Sequence, residues 1–146
     1  MNSIVRLVII FGSLVFGSVI FWGCNESNLN INEILKTKRE WVIKSYEVGG
    51  KKHIITPSSY EKYSMRFDGD RINGFLGCNN FFGNFEIISN TLVINGAGIT
   101  KRLCPPEVMQ KEQDLIQGFL NQKNTFILNK DATITFSNPI FSLILE

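Results

Sequence analysis

The sequence contains few of the residues from which proteins build metal and acid–base sites, with one histidine and three cysteines in 146 residues. Two cysteines and the distant His53 do not make a zinc ligand set, so no metal and no other cofactor is expected. His53 follows Lys51-Lys52 and has no nucleophile motif beside it, which indicates a surface residue. No HExxH motif, phosphate-binding loop or dinucleotide-binding glycine pattern occurs. These residues predict a protein that is not an enzyme, with a hydrolase as the remote alternative.

A long membrane-spanning run is also missing. The one apolar run, Leu7 to Trp22, is shorter than the roughly 20 residues that a spanning helix needs. It follows Arg6, ends at Gly23-Cys24 and is followed directly by polar residues, which resembles the signal of a bacterial lipoprotein. We therefore expect residues 1–23 to be a signal peptide and Cys24 to be the lipid-modified start of the mature chain. A signal-anchor that stays in the membrane is the alternative, because a bulky aromatic pair precedes Gly23.

Acylation of Cys24 would place the protein outside the cytoplasm. Each buried CH₂ of an acyl chain adds about 0.8 kcal/mol, so the two or three chains of a lipoprotein, palmitate among them, hold it firmly. The expected location is the bacterial cell envelope, at the outer membrane or facing the periplasm. The membrane is therefore the first expected partner, reached through the lipid anchor.

The chain has no marked excess of charge of either sign, with a formal net charge of +2 at pH 7. Its basic runs are limited to Lys36–Arg39 and Lys51-Lys52, and short runs of this kind are usually solvated surface. No nucleic-acid partner is expected. Acidic lipid head groups near the anchor are the alternative partner for Lys36–Arg39.

The mature chain divides into a tether and one domain. Residues 24–39 are rich in asparagine and contain no aromatic residue, which is typical of a spacer that keeps a folded part clear of the bilayer. Ile31, Ile34 and Leu35 could form a short helix or dock on the domain. Residues 40–146 are of the length of one domain.

Short strand patterns at close, even spacing fill most of residues 40–146. Turn signals such as Asp68-Gly69 and Ser89-Asn90 separate them, which favours an antiparallel barrel or sandwich over alternating strands and helices. One segment, Pro106 to Asn121, has helical periodicity, and its apolar stripe is interpreted as core. The sequence therefore predicts a mainly β fold with one α-helix packed on it.

The segment Gly74–Phe85, with the sequence GFLGCNNFFGNF, resembles the G-x-x-G-C-N-x-F-x-G-x-Y/F signature of the META domain, or HslJ-like, family of bacterial lipoproteins. Thr100–Cys104 resembles the T-x-x-x-C segment of that family. Glu112 with the leucines that follow it resembles a helical motif of the same family. The resemblance covers about residues 40–146.

This resemblance implies a small antiparallel barrel, lipocalin-like in outline and partly open, with one helix packed on it. The family is exported or membrane-anchored in bacteria and is linked to envelope stress, antibiotic tolerance and secretion. No enzymatic activity is established for the family. The resemblance therefore implies a binding or accessory module.

Cys78 and Cys104 are expected to form a disulfide, because disulfides persist in exported domains. In the chain-entropy model such a bond would stabilise the fold by about 3.5 kcal/mol. A free thiol pair and a metal site are the alternatives. The bond would join the end of a strand to the start of the helix.

Four further motif residues are interpreted as structural. Gly77 and Gly83 suit places where a barrel strand bends or crowds its neighbour, and Asn79 can hold such a bend by hydrogen bonds. Glu112 lies close to the apolar helix stripe, where a carboxylate needs a partner, so we expect it to accept N–H groups from Gly77–Asn80. The alternatives are a ligand-binding loop at Asn79-Asn80 and a catalytic role for Glu112.

Two functions follow for a non-enzymatic envelope lipoprotein of this kind. In the first, the barrel holds a hydrophobic ligand, a lipid tail or a segment of an envelope protein. In the second, the barrel is fully packed and its surface contacts other proteins. An interior pocket of more than about 300 Å³ would favour the first.

Overall fold

The computed structural model of the protein describes residues 30–56 and 58–146. The predicted signal peptide, residues 1–23, and the predicted acylation site, Cys24, lie outside these residues. No helix in the described part of the chain is both long and apolar enough to cross a bilayer.

The described residues form a mainly β fold with one main helix. The strands are β1 (Trp41–Val48), β2 (Lys51–Ile54), β3 (Lys62–Asp68), β4 (Arg71–Gly77), β5 (Asn80–Ile88), β6 (Thr91–Ile99), β7 (Asn124–Leu128), β8 (Ile134–Asn138) and β9 (Phe141–Leu145). The helices are α1 (Ile31–Thr37) and α2 (Pro106–Leu115), and a π-helical segment, Ile116–Leu120, continues α2.

Eight of the strands form a closed antiparallel barrel. Each of β3 to β9 pairs with its neighbour in sequence, and β1 closes the ring by pairing with β9 on one edge and with β3 on the other. The closing pair is long, from Ile43 opposite Leu145 to Val48 opposite Phe141. The predicted mainly β barrel with one packed helix is confirmed, and the β1–β9 pairing closes the circumference that was expected to be partly open.

β2 lies outside this ring and pairs only with the C-terminal half of β1. The two strands are joined by Gly49-Gly50, both with positive φ (57° and 75°), the conformation of a two-residue hairpin turn. Gly49-Gly50 is a turn signal in the sequence, but β2 was not predicted, because Lys51-Lys52-His53 has no apolar alternation. β2 therefore forms because the tight turn places it beside β1, and it does so without a face of buried side chains.

Helices cover both ends of the barrel. α1 lies at the end where β1 begins, and its Leu35 is fully buried. α2 and the π-helical segment lie at the opposite end, where Leu115 and Phe119 are fully buried. The short helix expected around Ile31, Ile34 and Leu35 is therefore present and is part of the packed core.

The predicted helix from Pro106 to Asn121 is present in two parts. It is α-helical only to Leu115, and the N–H of Asn121 donates to the carbonyl of Ile116, five residues back. Gly118 lies in the π-helical segment, and a Cβ there would clash with the ring of Phe141, so the helix approaches β9 this closely only with glycine at that position. The helix unwinds slightly where it passes over the start of β9.

Large apolar side chains fill the interior of the barrel. Fully buried residues from the strands and from both helices form one continuous cluster: Leu35, Trp41, Ile43, Met65, Ile72, Leu76, Phe81, Leu92, Leu115, Phe119, Phe136, Leu143 and Leu145. Aromatic rings contact one another edge to face, as with Phe119 and Phe136, whose ring centroids are 5.5 Å apart. The barrel interior is a packed core.

Candidate functional site

The two cysteines of the domain are joined where the helix meets the barrel. The Sγ atoms of Cys78 and Cys104 are 2.06 Å apart, and the Cα atoms are 5.9 Å apart. Cys78 directly follows β4, and Cys104 precedes α2. Of the three alternatives for this pair, the structure therefore contains the disulfide.

The chain reverses between β4 and β5 beside this bond. Gly77 has a φ of +97°, and the ring of Tyr63 occupies the space that a Cβ would need. The N–H of Leu76 donates to the carbonyl of Asn79 at 3.0 Å, which closes the bend. A side chain at Gly77 would be strained by the positive φ and would also clash with the ring of Tyr63, so only glycine fits at this position.

Gly83 has a different role from Gly77. It lies in β5 where the register against β6 shifts between Phe82 and Asn84. A Cβ there would lie 3.3 Å from the backbone of Ala97 on the paired strand. Gly83 therefore permits the close approach of two backbones at a β-bulge, without needing positive φ.

The buried side chain of Asn79 holds three chain segments together. Its Oδ1 accepts the N–H of Arg102 at 2.7 Å and the hydroxyl of Thr100 at 2.9 Å. Its Nδ2 donates to Glu112 at 2.9 Å and to the carbonyl of Arg102 at 3.3 Å. Both ends of the amide are thus used inside the protein, and Asn79 is not directed at an external ligand.

Glu112 reaches the same bend from α2. Its Oε2 accepts the backbone N–H of Asn79 at 2.7 Å, and its Oε1 accepts the Asn79 amide. Only 5% of the residue is exposed. The contact that the sequence led us to expect is present, and the cost of burying the carboxylate is offset by two charge-assisted hydrogen bonds.

Two buried tyrosines beside this junction donate hydrogen bonds to carboxylates, one on α2 and one just before β3. The hydroxyl of Tyr46 donates to Oδ2 of Asp114 at 3.0 Å, and that of Tyr63 donates to Oε2 of Glu61 at 2.9 Å. Burial, and then the acceptor carboxylate, raise the pKa of both phenols well above the ordinary value. His53 stacks on Tyr46 with ring centroids 4.7 Å apart, so it is half-buried and not a free surface residue.

The sequence did not indicate the tyrosine contacts, because each partner lies on another element or at a loop. Asn124 was missed for the same reason. It is fully buried, and its Nδ2 donates to the carbonyls of Phe119 and Gln122. An asparagine at the very start of a strand is the one sequence signal that could have suggested it.

We expect the raised pKa values of the tyrosines to make the fold less stable at high pH. In the unfolded chain a phenol ionises near pH 10, whereas in the folded protein Tyr46 and Tyr63 keep their protons to higher pH. The stabilisation is complete below pH 10 and is lost as the pH rises above it, by about 1 kcal/mol per tyrosine near pH 11.

Urea unfolding at about pH 8 and about pH 11 tests this. Tyr46→Phe should lower the free energy of unfolding at the lower pH, through its lost hydrogen bond, and should reduce the drop between the two pH values. Tyr60→Phe is the matched control, because Tyr60 is 94% exposed. An equal drop in the Tyr46→Phe variant would contradict the assignment.

The junction, defined as the Cys78–Cys104 disulfide with Asn79, Glu112, Tyr46 and Tyr63, is internally satisfied. Throughout residues 30–56 and 58–146, every buried side-chain nitrogen and oxygen has a hydrogen-bond partner. The same residues contain no group of three His, Cys, Asp or Glu side chains placed to hold a metal ion. The geometry therefore fixes the helix on the barrel.

The clefts found on the described residues are on the outer surface of the barrel. One, of about 620 Å³, lies between the β1–β2 turn and the β8–β9 turn. Another, of about 420 Å³, lies where β1 forks between β2 and β3 and is lined mainly by apolar atoms. Space for a partner thus lies outside the packed core.

Comparison with known proteins gives one family and two related structures. The family model of the META domain matches residues 33–139. The NMR structure of a protein from Burkholderia xenovorans is 15% identical, with a TM-score of 0.63, covering 79% of this chain and 84% of that one. A second protein solved by NMR is 21% identical, with the same TM-score, covering 79% of this chain and 92% of that one. At these identities both structures show a shared fold alone, and no curated protein matches significantly.

Proposed function

Because the chain belongs to the META domain family, as its sequence motifs indicated, we propose that it is a non-enzymatic lipoprotein of the bacterial cell envelope. It is anchored in a membrane through Cys24 and contacts another envelope protein through the outer surface of the barrel. The family resemblance supports a role in envelope stress, antibiotic tolerance or secretion.

The filled barrel interior is the observation that carries this proposal. Side chains from the strands and from both end helices occupy the axis, and the largest of them, Trp41, is 1% exposed. Lipocalin-like barrels that bind small molecules keep that space open. Of the two functions that the sequence left open, the second therefore has the stronger support: a fully packed barrel whose surface contacts other proteins.

The outer surface carries three isoleucines in one row across the strands, alternating with Ser45 and Thr135. Ile54 on β2, Ile144 on β9 and Ile127 on β7 belong to one row across the sheet, connected through the pairings of Ser45 and Thr135. Ile54 is 72% exposed and Ile127 is 64% exposed. Two exposed isoleucines and the half-buried Ile144 in one row support a surface that contacts protein.

Membrane anchoring is supported by the signal-peptide pattern and tested at Cys24. Cys24→Ser should abolish incorporation of labelled palmitate and move the protein from the membrane fraction to the soluble fraction or leave an unprocessed precursor. The Cys78→Ser/Cys104→Ser variant is the control, since it should keep the label. Membrane association of Cys24→Ser after processing, without label, would contradict a lipid anchor.

Site-specific crosslinking in intact cells tests the surface contact. A photoreactive residue at Ile54 or Ile127 should give discrete protein adducts, whereas the same residue at the exposed position Lys123, on the α2 end, is the matched control. The proposal fails if all three positions give the same adducts. It also fails if native mass spectrometry of the purified protein shows a stoichiometric small apolar ligand.

A further inference from the structure

Four basic side chains lie together at the α1 end of the barrel. Lys36 is in the last turn of α1, Lys38 and Arg39 connect α1 to β1, and Arg66 is on β3. The Nε of Arg66 donates to the backbone carbonyl of Arg39 at 2.7 Å, which places the Arg66 guanidinium beside the segment that carries Lys38 and Arg39. All four residues are exposed. We call them the basic cluster.

Nearby acidic groups offset the charge of the basic cluster only in part: the carboxyl of Glu40 has a lowered pKa, mainly through its hydrogen bond with Lys62 and to a smaller extent through the charge of Arg66. None of the three ion pairs in the described part of the chain includes a member of the cluster. Glu40, the acid next to Arg39, is paired with Lys62 at 2.6 Å and also accepts the hydroxyl of Ser64. The cluster therefore presents a local positive charge to solvent.

The basic cluster is close to the predicted acylation site along the chain. From Cys24 to Asn30, the N-cap of α1, six residues can span at most about 20 Å. α1 itself adds about 10 Å at 1.5 Å per residue. An acyl group on Cys24 thus keeps the cluster within roughly 30 Å of the lipid surface.

α1 is fixed on the barrel, so a contact made by this end orients the whole domain. Leu35 is fully buried, Ile31 is 8% exposed, and the indole N–H of Trp41 donates to the carbonyl of Leu35 at 2.9 Å. The ammonium of Lys38 lies 4.4 Å from the centre of the Trp41 ring, which holds this charge beside the rigid core.

We propose that the basic cluster contacts the head groups of anionic lipids and holds the barrel upright, with its α1 end on the membrane. This inference rests on the proposed lipid anchor. The anchor supplies proximity, and the four cationic side chains supply attraction to a negatively charged surface within about 8 Å, the Debye length at physiological salt. The α2 end, with the disulfide and the 94% exposed Leu103, then faces away from the membrane.

Hydrogen–deuterium exchange on the acylated protein tests the orientation. The protein is purified from cells and placed in vesicles of phosphatidylcholine alone, or of phosphatidylcholine mixed with phosphatidylglycerol. We expect exchange in the peptide covering Ile31–Arg39 to be about threefold slower, or more, in the anionic vesicles. High salt should remove this difference, because it screens the lipid charge.

Charge reversal gives the matched comparison. The triple variant Lys36→Glu, Lys38→Glu and Arg39→Glu should exchange equally fast in both vesicles. The control triple, Lys101→Glu, Arg102→Glu and Lys123→Glu, removes the same charge at the α2 end and should behave like the unchanged protein. The neutral triple Lys36→Gln, Lys38→Gln and Arg39→Gln should also lose the difference, which keeps the test valid should the reversed variant misfold.

The outcomes separate this inference from the lipid anchor itself. Equal exchange in both vesicles by an acylated, vesicle-bound protein would overturn the orientation and leave the anchor standing. Loss of the difference in the control triple would also overturn it, since the effect would then depend on net charge alone. If the protein purified from cells carries no acyl group and sediments with neither kind of vesicle, both the orientation and the lipid anchor are overturned.

Discussion

Replacing Cys78 and Cys104 together with serine is expected to lower the free energy of unfolding by about 3.5 kcal/mol. The bond closes a loop with a sequence separation of 26 residues. In the chain-entropy model, breaking it raises the conformational entropy of the unfolded chain, and this entropy accounts for the lost stability. The loop contains β5 and β6 entirely, so the constraint acts on a quarter of the barrel's strands.

Urea unfolding of the double variant, with a reductant-treated sample of the unchanged protein beside it, measures this loss. The two samples should agree, because each lacks only the bond. Cys24→Ser is the control and should leave the midpoint unchanged. A loss below about 1 kcal/mol would show that Asn79 and Glu112 hold the bend without the disulfide.

Local signals predicted most of the barrel. The turn signalled by Asp68-Gly69 joins β3 to β4, and the turn at Ser89-Asn90 joins β5 to β6. Each joins strands with alternating apolar residues, so the pattern along the chain was enough to identify both hairpins. The closure of β1 on β9 was not contained in such local patterns, because it depends on two strands about a hundred residues apart.

The interior could be predicted as apolar but not as filled. Whether a small barrel keeps a cavity depends on how its ends are closed, and here α1 and α2 close them with Leu35 and Leu115. The sequence assigned Leu35 to a tether with docking as one option. Its burial shows that the end of the barrel receives a side chain from outside the strands.

The contacts of the junction could also be predicted only in part, because some of them depend on tertiary packing. Cys78, Cys104 and Glu112 lie next to recognisable motifs, so the sequence could suggest their meeting. Asp114 has no motif of its own, and its contact with Tyr46 depends on how α2 is rotated over the barrel. That rotation is set by tertiary packing, including the contact of Gly118 with Phe141.

Glu112→Ala is expected to destabilise the fold by about 3 kcal/mol. The substitution removes both acceptors of Asn79 and leaves its backbone N–H and part of its amide buried without a partner. Each unsatisfied buried donor costs about 1–3 kcal/mol. The helix would also lose its direct hydrogen bonds to the β4–β5 bend, while the disulfide still holds the chain nearby.

Glu112→Gln separates the acceptor role from simple packing. Both contacts of Glu112 come from donors, so glutamine, with one oxygen and one NH₂ group, must turn a donor toward a donor. We therefore expect Glu112→Gln to cost about 1–2 kcal/mol, even though it fills the same space. If Glu112 acted through packing alone, Glu112→Gln would leave the free energy of unfolding unchanged.

The decisive measurement is a double-mutant cycle between Glu112→Ala and Asn79→Ala, followed by urea unfolding. A coupling of about 1 kcal/mol or more would show that the two residues stabilise the junction as a pair. Glu107→Ala, in the exposed first turn of α2, is the matched control and should change the stability by only a few tenths of a kcal/mol. Additive losses would mean that the disulfide, and not the carboxylate, determines how the helix is fixed to the barrel.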